Sequence, residues 1–443
     1  MTSNRDQSST ADDTHVKLPH QARAQRDQVA RRHPHPTDDA TATPARRRLP
    51  DRASFAVVVA ALILVFVGSG TPVPLYATYR REFGVSSGDL ALTTVIYLAV
   101  TAAALLVLGR LSNVLGRRSV AIAAVICAAL GVLVLLRVDG LGPLLAGRIL
   151  QGLACGTATS ALGTYAVELA PPRPTWAGPV VAANGPAFAI PFGALVSGAL
   201  VQYAPQPRHL IYVLVAAALL LCAIALVFCR DTVQRSTGVR AALRPRVQLP
   251  AGQGLAVIAV SGGLVATWSL SGFFQAFSPT VTVDQLGSTS AMLAAVVFAS
   301  IVVLSPLGGA LGGRLLAPRA LALGMVVFAL AAVVIVTAVH TASTAALLAA
   351  SLTGGMALGA IGGAGTRIML TGAQPEQRAG IISTVYLISY SGAAVPGLIG
   401  GQLSHVWDVP RLATGYGALV LAAVAVGLTF LTLHQRRSTR QHP

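Results

Sequence analysis

The chain has 443 residues, of which 54% are hydrophobic and only 11% are charged. Soluble domains carry roughly 25% charged residues, because a surface that faces water needs them. The composition therefore excludes an ordinary soluble enzyme, a mostly disordered chain and a disulfide scaffold, and it predicts an integral membrane protein with many spans. The net charge of +17 does not indicate nucleic-acid binding, since the arginines lie in short runs between apolar stretches.

Residues 1–52 differ in composition from the rest of the chain. They are rich in Arg, Asp, His, Gln, Thr and Pro and lack apolar periodicity, which is typical of a disordered segment. The first apolar stretch starts at residue 53 and is too long for a cleaved signal peptide. The sequence therefore predicts a disordered cytoplasmic tail, without a metal site.

From residue 53 onward, apolar runs of about 20 residues follow one another, the length that crosses roughly 30 Å of hydrocarbon as a helix. A chain in lipid forms helices because its backbone must satisfy its own hydrogen bonds. Only the fourth run is interrupted in its interior by a full charge, Arg148. Twelve spans are predicted, over residues 53–79, 88–108, 119–136, 141–167, 175–203, 209–229, 252–283, 287–312, 320–340, 342–366, 379–405 and 412–433.

Arginines occur mainly in alternate loops of this predicted topology. Arg117 and Arg118 follow the second span and Arg240 and Arg246 follow the sixth, whereas the intervening loops carry few arginines. By the positive-inside rule, the arginine-rich loops face the cytoplasm. An even number of spans then places both termini in the cytoplasm, and we expect a multi-pass protein of the cell membrane.

The longest loop between spans divides them into two sets of six. Leu144–Gly156 resembles Leu347–Gly359 in its Leu, Ala and Gly positions, and Pro172 matches Pro375 at the same separation. Parallel helical repeats are typical of transporters.

The predicted fold is an all-α membrane protein of two pseudo-symmetric six-helix bundles. Its predicted parts are a tail (1–52), an N-terminal bundle (53–229), a cytoplasmic linker (230–251), a C-terminal bundle (252–434) and a second tail (435–443).

The loop between the second and third spans reads Gly-Arg-Leu-Ser-Asn-Val-Leu-Gly-Arg-Arg. It resembles the G-x-L-x-D-x-x-G-R-R loop of the major facilitator superfamily, and the resemblance extends over about residues 53–434. In that family the loop helps to hold the cytoplasmic side closed in the outward-open state. Asparagine replaces the family's aspartate here, so we expect a hydrogen bond without an ion pair and a weaker latch. The predicted gating loop comprises Gly109, Asn113, Gly116, Arg117 and Arg118.

Arg148 lies inside the fourth span and is followed by Gln151 and Gly152. This spacing resembles the R-x-x-Q-G element of the same family, whose arginine is often tied to substrate binding or proton coupling. An arginine within a membrane helix indicates function, because burial of its charge is costly. The alternative is that the long side chain extends to the headgroups from a depth of roughly 10 Å. The resemblance favours Arg148 and Gln151 as substrate or coupling residues.

Prolines and glycines in several spans predict kinks and close packing of helices. The run Asn184-Gly-Pro186 resembles the Gly-Pro signature of the family's drug exporters, which exchange substrate for protons, although the glycine pair that follows there is displaced here. Asn184 and Phe188, one turn further on, are candidates for a cavity wall, and a packing or lipid-facing role is equally open. The predicted kink and packing residues are Pro72, Pro74, Gly152, Gly156, Gly185, Pro186, Pro191 and Pro396.

Aromatic residues make up only 5% of the chain, but they cluster in the seventh and eleventh spans. Tyr386 and Tyr390 lie four residues apart and so share one helix face. Such clusters are typical of a cavity that binds an apolar or aromatic molecule, and equally of anchoring at the membrane interface. The candidate cavity residues here are Trp268, Phe274, Gln275, Tyr386 and Tyr390.

Beyond the tail, every carboxylate lies at or near the end of a predicted span. Proton-driven transporters usually carry an acid deep in the membrane, where desolvation raises its pKa. Glu168 and Asp284 are the nearest candidates for proton carriers, and a role as terminal charges is the alternative.

These features and the resemblance predict a secondary transporter that moves a small amphipathic molecule by alternating access, with efflux and proton antiport. A metabolite importer or facilitator without proton coupling is the alternative. A membrane-embedded enzyme or receptor is a remote one, because the histidines of the spans lie near span ends and form no buried catalytic cluster. We expect a monomer whose partners are its substrate, protons and the lipid bilayer, with no nucleic acid and no cofactor.

Overall fold

The computed structural model describes residues 48–441, and this part of the chain forms helices and loops without a β-strand. Short helices at Ser112–Leu115 and Val239–Ala242 lie in two of the loops. The long helices are α1 (Asp51–Phe83), α2 (Ser87–Leu108), α3 (Arg117–Leu135), α4 (Leu141–Leu169), α5 (Ala177–Tyr203), α6 (Leu210–Val227), α7 (Gly254–Gln285), α8 (Ala291–Gly313), α9 (Ala317–His340), α10 (Thr344–Met369), α11 (Pro375–Leu403) and α12 (Val409–Gln441).

Eleven helices of the described chain are long and apolar enough to cross a bilayer. They are the long helices other than α4, in which polar residues such as Arg148 and Gln151 lower the mean hydropathy. α4 has 29 residues and packs against α1, α2 and α3. The predicted all-helical membrane fold is therefore confirmed, whereas the twelfth span and the cytoplasmic position of both termini stay predictions.

The packing within α1–α6, the N-terminal set, repeats within α7–α12, the C-terminal set. α4 packs against α1, α2 and α3, and α10 packs in the same way against α7, α8 and α9. α5 contacts α1 as α11 contacts α7, and α6 contacts α3 as α12 contacts α9. The two sets meet where α2 packs on α11 and where α5 packs on α8. This repetition gives the fold its pseudo-symmetry, while the predicted domain limits stay predictions.

α1 is broken near Pro72. Proline has no N–H, so the carbonyl oxygen of Gly68 loses its helical donor. Thr71 Oγ1 and Gln151 Nε2 donate to this oxygen instead, each at 2.8 Å. A 3-10 turn at Val73–Leu75 follows before the helix resumes. The break therefore offers main-chain carbonyl groups to polar side chains of α4.

Glycines bring α4 against α2. A Cβ atom added to Gly152 would lie 2.7 Å from the carbonyl oxygen of Tyr97, and one added to Gly156 would lie 2.7 Å from the Cβ atom of Ala104. Both distances are shorter than van der Waals contact, so any side chain at these positions would push the helices apart. Such close approach through small residues is the usual packing mode of helices in lipid.

One end of the bundle holds the gating loop and the linker. The N–H of Ser236 in the linker donates to the carbonyl oxygen of Val114 at 3.0 Å, and the N–H of Gln248 donates to the carbonyl oxygen of Gly380 in α11 at 3.3 Å. We call this the arginine-rich end and the other the distal end. At the arginine-rich end, the linker thus contacts both sets of helices.

The two sets are packed together at the distal end. A Cβ atom added to Gly88 of α2 would lie 2.8 Å from a main-chain oxygen of α11, and one added to Gly198 of α5 would lie 2.7 Å from the Cβ atom of Ala295 in α8. Arg80 Nη1 of α1 also lies 3.4 Å from Asp284 Oδ2 of α7. These contacts hold the two sets against each other at this end.

A chain that begins at Arg46 should insert and transport like the full-length protein. It keeps the hydrogen bond from Leu49 N–H to the carbonyl oxygen of Phe228 (2.9 Å) and the ion pair between Asp51 and Arg230 (2.9 Å). The deleted residues include few large apolar side chains to pack, and the remaining arginines still orient the first helix. Membrane abundance and flux of the two chains, measured side by side, check this, and loss of folding would contradict it.

Candidate functional site

A cavity of about 210 Å³ lies between the two sets of helices. Residues of both sets line it, and its wall is mainly apolar. Thr159, Ser271, Gln275 and Ser305 contribute hydroxyl and amide groups to the wall. The aromatic residues of this central cavity are Phe66, Tyr97, Trp268, Phe298, Tyr386 and Tyr390. A mostly apolar wall with a few polar groups is the usual form of a small-molecule site.

The aromatic clusters of α7 and α11 converge on this cavity. Trp268, Gln275, Tyr386 and Tyr390, four of the predicted candidates, all line it. The rings of Trp268 and Tyr390 meet edge to face with centroids 5.1 Å apart, and Tyr386 stacks on Tyr390 at 6.2 Å. These are favourable aromatic geometries, which hold the rings in place around the cavity.

Three other candidates lie away from the cavity wall in this state. Phe274 is buried and meets Phe273 edge to face. Phe188 is 50% exposed and stacks on Phe192 on the outer face of α5. Asn184 Nδ2 donates to a carbonyl oxygen one turn earlier in α5, at 3.2 Å. A role for these three in binding would require a different conformation.

Sequence reasoning did not single out Tyr97 or Phe66, although both line the cavity. Tyr97 is the one aromatic residue in the aliphatic helix α2, and this was the available signal. Phe66 carries no such signal, because it lies in an apolar helix among other large side chains. Its position depends on how α1 packs, which the local sequence does not determine.

Arg148 is fully buried behind Tyr97, with its Cζ atom 4.6 Å from the ring centroid. Its Nη1 donates to the carbonyl oxygen of Ser69 at 2.8 Å and to Gln151 Oε1 at 3.0 Å. Its Nε and Nη2 have no hydrogen-bond partner within the described part of the chain. The side chain therefore points into the protein and makes contact with the break in α1 rather than with the lipid-facing surface.

A second cavity, of about 550 Å³, extends from the centre to the arginine-rich end. It shares Thr159, Ala183 and Tyr386 with the central cavity, so the two adjoin. We call it the vestibule. Its charged lining residues are Arg110, Arg246 and Glu376. The vestibule therefore joins the central cavity to the arginine-rich end, whereas the two sets are in contact at the distal end.

Arg117 is the centre of a polar cluster at the arginine-rich end. Its Nε and Nη2 lie 3.1 Å and 3.0 Å from Glu168 Oε1, at the end of α4. Its Nη1 donates to Ser112 Oγ at 2.6 Å and also to Asn113 Oδ1. Its main-chain N–H donates to Asp231 Oδ1 at 2.9 Å. The cluster thus joins the gating loop, α4 and the start of the linker, all on the same side of the vestibule.

The gating loop turns at Gly116, whose φ of 91° lies in the region that favours glycine. A Cβ atom at this position would also collide with the carboxylate of Asp231. Arg118 Nη1 donates to the carbonyl oxygens of Val227 and Cys229, both at 3.2 Å, at the end of α6. Gly109 ends α2 at the start of the loop.

Both candidate proton carriers form ion pairs in this state. Glu168 pairs with Arg117, and Asp284 pairs with Arg80 at the end of α7, where the helix ends in a π-helical turn. The two carboxylates therefore lie at opposite ends of the bundle. Among the described residues, no three His, Cys, Asp or Glu side chains are close enough together to hold a metal ion.

Residues 58–396 match the sequence model of the Major Facilitator Superfamily. A bacterial homolog to the human lysosomal transporter Spinster, in an inward-facing and unoccupied conformation, has a similar structure: the TM-score is 0.64 at 15% identity over 87% of this chain and 95% of that one. A mutant of the peptide transporter POT in complex with alafosfalin gives a TM-score of 0.67 at 16% identity over 88% and 96% of the two chains. No curated protein matches the sequence at a significant level.

At these identities the solved structures demonstrate a shared fold, and the match to the sequence model demonstrates the family. It confirms the resemblance carried by the gating loop, and it identifies a membrane transporter of small molecules rather than an enzyme. The chain belongs to the major facilitator superfamily.

Proposed function

We propose that the protein exports a small amphipathic molecule across the cell membrane by alternating access, in exchange for protons. The observation that carries this proposal is the central cavity, which lies between two repeated sets of helices and adjoins the vestibule at the arginine-rich end. Exchange between this state and one open at the distal end would carry a bound molecule across. The mainly apolar wall, with its aromatic rings and its hydroxyl and amide groups, suits a molecule with one apolar and one polar part.

The same proposal places α4 across the membrane as the twelfth span and the arginine-rich end in the cytoplasm. The length of α4 and its packing against three apolar helices support a spanning position. Arg117, Arg118, Arg240 and Arg246 at one end support the orientation through the positive-inside rule. On this orientation the structure represents the inward-facing state.

Transport without proton coupling is the second candidate function. It is favoured by the wall of the central cavity, in which the lining residues include no carboxylate among those that the structure describes. It is also favoured by the ion pairs of Glu168 and Asp284, because each of these carboxylates already has an arginine as its partner. An importer or a facilitator would need no such proton carrier.

Reconstitution in proteoliposomes tests the transport proposal. Candidate amphipathic molecules are followed in both directions, with and without a proton gradient. Export is supported by flux toward the distal side that a proton gradient accelerates. Flux that runs down the substrate gradient and does not depend on a proton gradient would favour the facilitator. Absence of flux in both directions would contradict transport of this class of molecule.

We expect substrate-induced proton movement in the wild type, reduced by Glu168→Gln or Asp284→Asn. Each substitution removes a titratable carboxylate that faces an arginine and could exchange that partner for a proton during the cycle. The measurement is the internal pH of proteoliposomes on addition of substrate, with Asp139→Asn, at an exposed position, as the matched control. A proton flux that survives both substitutions excludes these two carriers, and no flux in the wild type contradicts antiport.

A further inference from the structure

The wall of the central cavity is uncharged among the described residues, but a positive charge lies one aromatic ring away. Tyr97 lines the cavity, and the guanidinium of Arg148 lies 4.6 Å from the centroid of the same ring. Arginine stays protonated in proteins. The cavity therefore lies in the field of a fully buried cation, in surroundings that screen it much less than water does.

This charge has no counter-ion in the described part of the structure. The ion pairs there involve Arg80, Arg117, Arg208 and Arg230, and all four lie at helix ends. Arg148 donates only to neutral oxygens, while its Nε and Nη2 lack a partner. A buried charge left in this way is costly, and proteins that span membranes retain such charges for function.

The vestibule that leads to the central cavity also has an excess of positive charge among its described lining residues. Arg110 and Arg246 line the vestibule, and Glu376 is its one acid among the described lining residues. Clefts with an excess of one charge concentrate ions of the opposite sign. An anion that enters from the arginine-rich end therefore meets a favourable potential from the mouth of the vestibule to the centre.

We propose that the transported molecule is an organic anion, with an aromatic or apolar body and a single negative charge such as a carboxylate. The proposal rests on the transport function above and specifies its substrate class. The rings of Trp268, Tyr386 and Tyr390 bind the body, and the field of Arg148 favours the charge without requiring direct contact. A cation of the same shape is disfavoured, because no carboxylate of the described wall offsets this field.

The expected preference is large enough to measure. Two unit charges on the order of 10 Å apart at an effective dielectric constant of about 20 change an affinity roughly tenfold. The anion should bind more tightly than a neutral analogue by this factor, and the cation should bind more weakly by the same factor. We therefore expect the anion to bind about 100-fold more tightly than the matched cation.

Three para-substituted nitrobenzenes provide matched probes: 4-nitrobenzoate, 4-nitrobenzyl alcohol and 4-nitrobenzylammonium. Nitroaromatic rings quench tryptophan fluorescence, and Trp268 lies in the cavity wall. Trp176 and Trp407, the other two tryptophans, are replaced by phenylalanine so that quenching reports on the cavity alone. Titration of the purified protein then gives three dissociation constants, expected in the order anion, neutral molecule, cation from tightest to weakest.

Arg148→Gln should bring the three dissociation constants within a few-fold of one another, whereas Arg148→Lys should keep the order. Arg137→Gln is the matched control, because Arg137 is exposed at the distal end and should not affect binding. The wild-type order tests the proposal even where Arg148→Gln fails to fold.

Equal binding of the three probes, or tighter binding of the cation, would overturn the proposal. Counterflow of the neutral probe in proteoliposomes distinguishes this outcome from failure of the transport function. If the neutral probe shows counterflow but the three probes bind equally, the transport function is supported and the anion proposal is contradicted. Absence of saturable quenching by all three probes contradicts the cavity as an aromatic binding site, and with it both proposals.

Discussion

Replacement of Arg148 by alanine should abolish transport while the protein still inserts and folds. The substitution removes the positive charge next to the cavity and the donor to the carbonyl oxygen of Ser69 at the break in α1. Flux should fall to that of empty liposomes. Membrane abundance should stay near the wild-type level, because a buried charge without a counter-ion contributes little to stability or reduces it.

The measurement compares flux per molecule of reconstituted protein with membrane abundance in the same preparation. Arg137→Ala serves as the control, since it removes an exposed arginine far from the cavity. Arg148→Lys separates charge from hydrogen-bond geometry, because lysine keeps the charge and loses the planar guanidinium. Normal flux in Arg148→Ala would show that Arg148 serves packing alone.

The helices could be predicted from sequence because their signal is local. An apolar run of about 20 residues has few alternatives to a helix in lipid, so the bounds of α2, 87–108 in the structure against 88–108 in the prediction, agree closely. α4 differs, because the polar residues that contact the break in α1 lower its mean hydropathy. The same residues make α4 a candidate for function and weaken its prediction as a membrane span.

The candidate site was predictable only in part, because its geometry depends on contacts distant in sequence. Tyr386 and Tyr390 share a helix face by spacing alone, and both line the cavity. For Phe188, one turn beyond Asn184, the sequence left a cavity-lining and a lipid-facing role equally open, and the rotation of α5 directs it outward onto Phe192. A periodic sequence fixes which residues share a face, whereas packing against neighbours fixes where that face points.

The ion pair between Arg117 and Glu168 could not be predicted from sequence either. The two residues belong to different helices, and Glu168 looked like a terminal charge or a proton carrier. Their contact depends on the tight turn at Gly116 and on the packing of α3 against α4. In this state the pair lies within the N-terminal set, so the bond itself does not span the vestibule.

Asn113→Asp should shift the population toward the state that is open at the distal end. Asn113 lines the vestibule opposite Glu376 and Ala379 in the first turns of α11. When the vestibule closes, position 113 approaches the N-terminus of α11, where the helix dipole favours a carboxylate. The bond from Arg117 to position 113 lies within one set of helices, so it exists in both states and contributes little to the shift.

A carboxylate at a helix N-terminus is worth about 0.3–2 kcal/mol, which corresponds to a change in population of roughly 2- to 30-fold. Glu376 in the first turn of α11 opposes this gain, because its carboxylate repels the carboxylate introduced at position 113. Asn113→Asp should therefore have a larger effect in combination with Glu376→Gln. Glu376→Gln alone provides the matched background.

Reactivity of a cysteine at the distal end measures the shift. Thr280→Cys suits this purpose, because Thr280 is buried where α7 meets α1, with Oγ1 3.4 Å from Arg80 Nη1. The native cysteines are replaced first, namely Cys127, Cys155, Cys222 and Cys229. Faster labelling by a membrane-impermeant thiol reagent in Asn113→Asp, and faster still with Glu376→Gln, is expected. Unchanged labelling in both would mean that position 113 takes no part in gating, and the loop's resemblance to the family pattern would then carry no mechanism here.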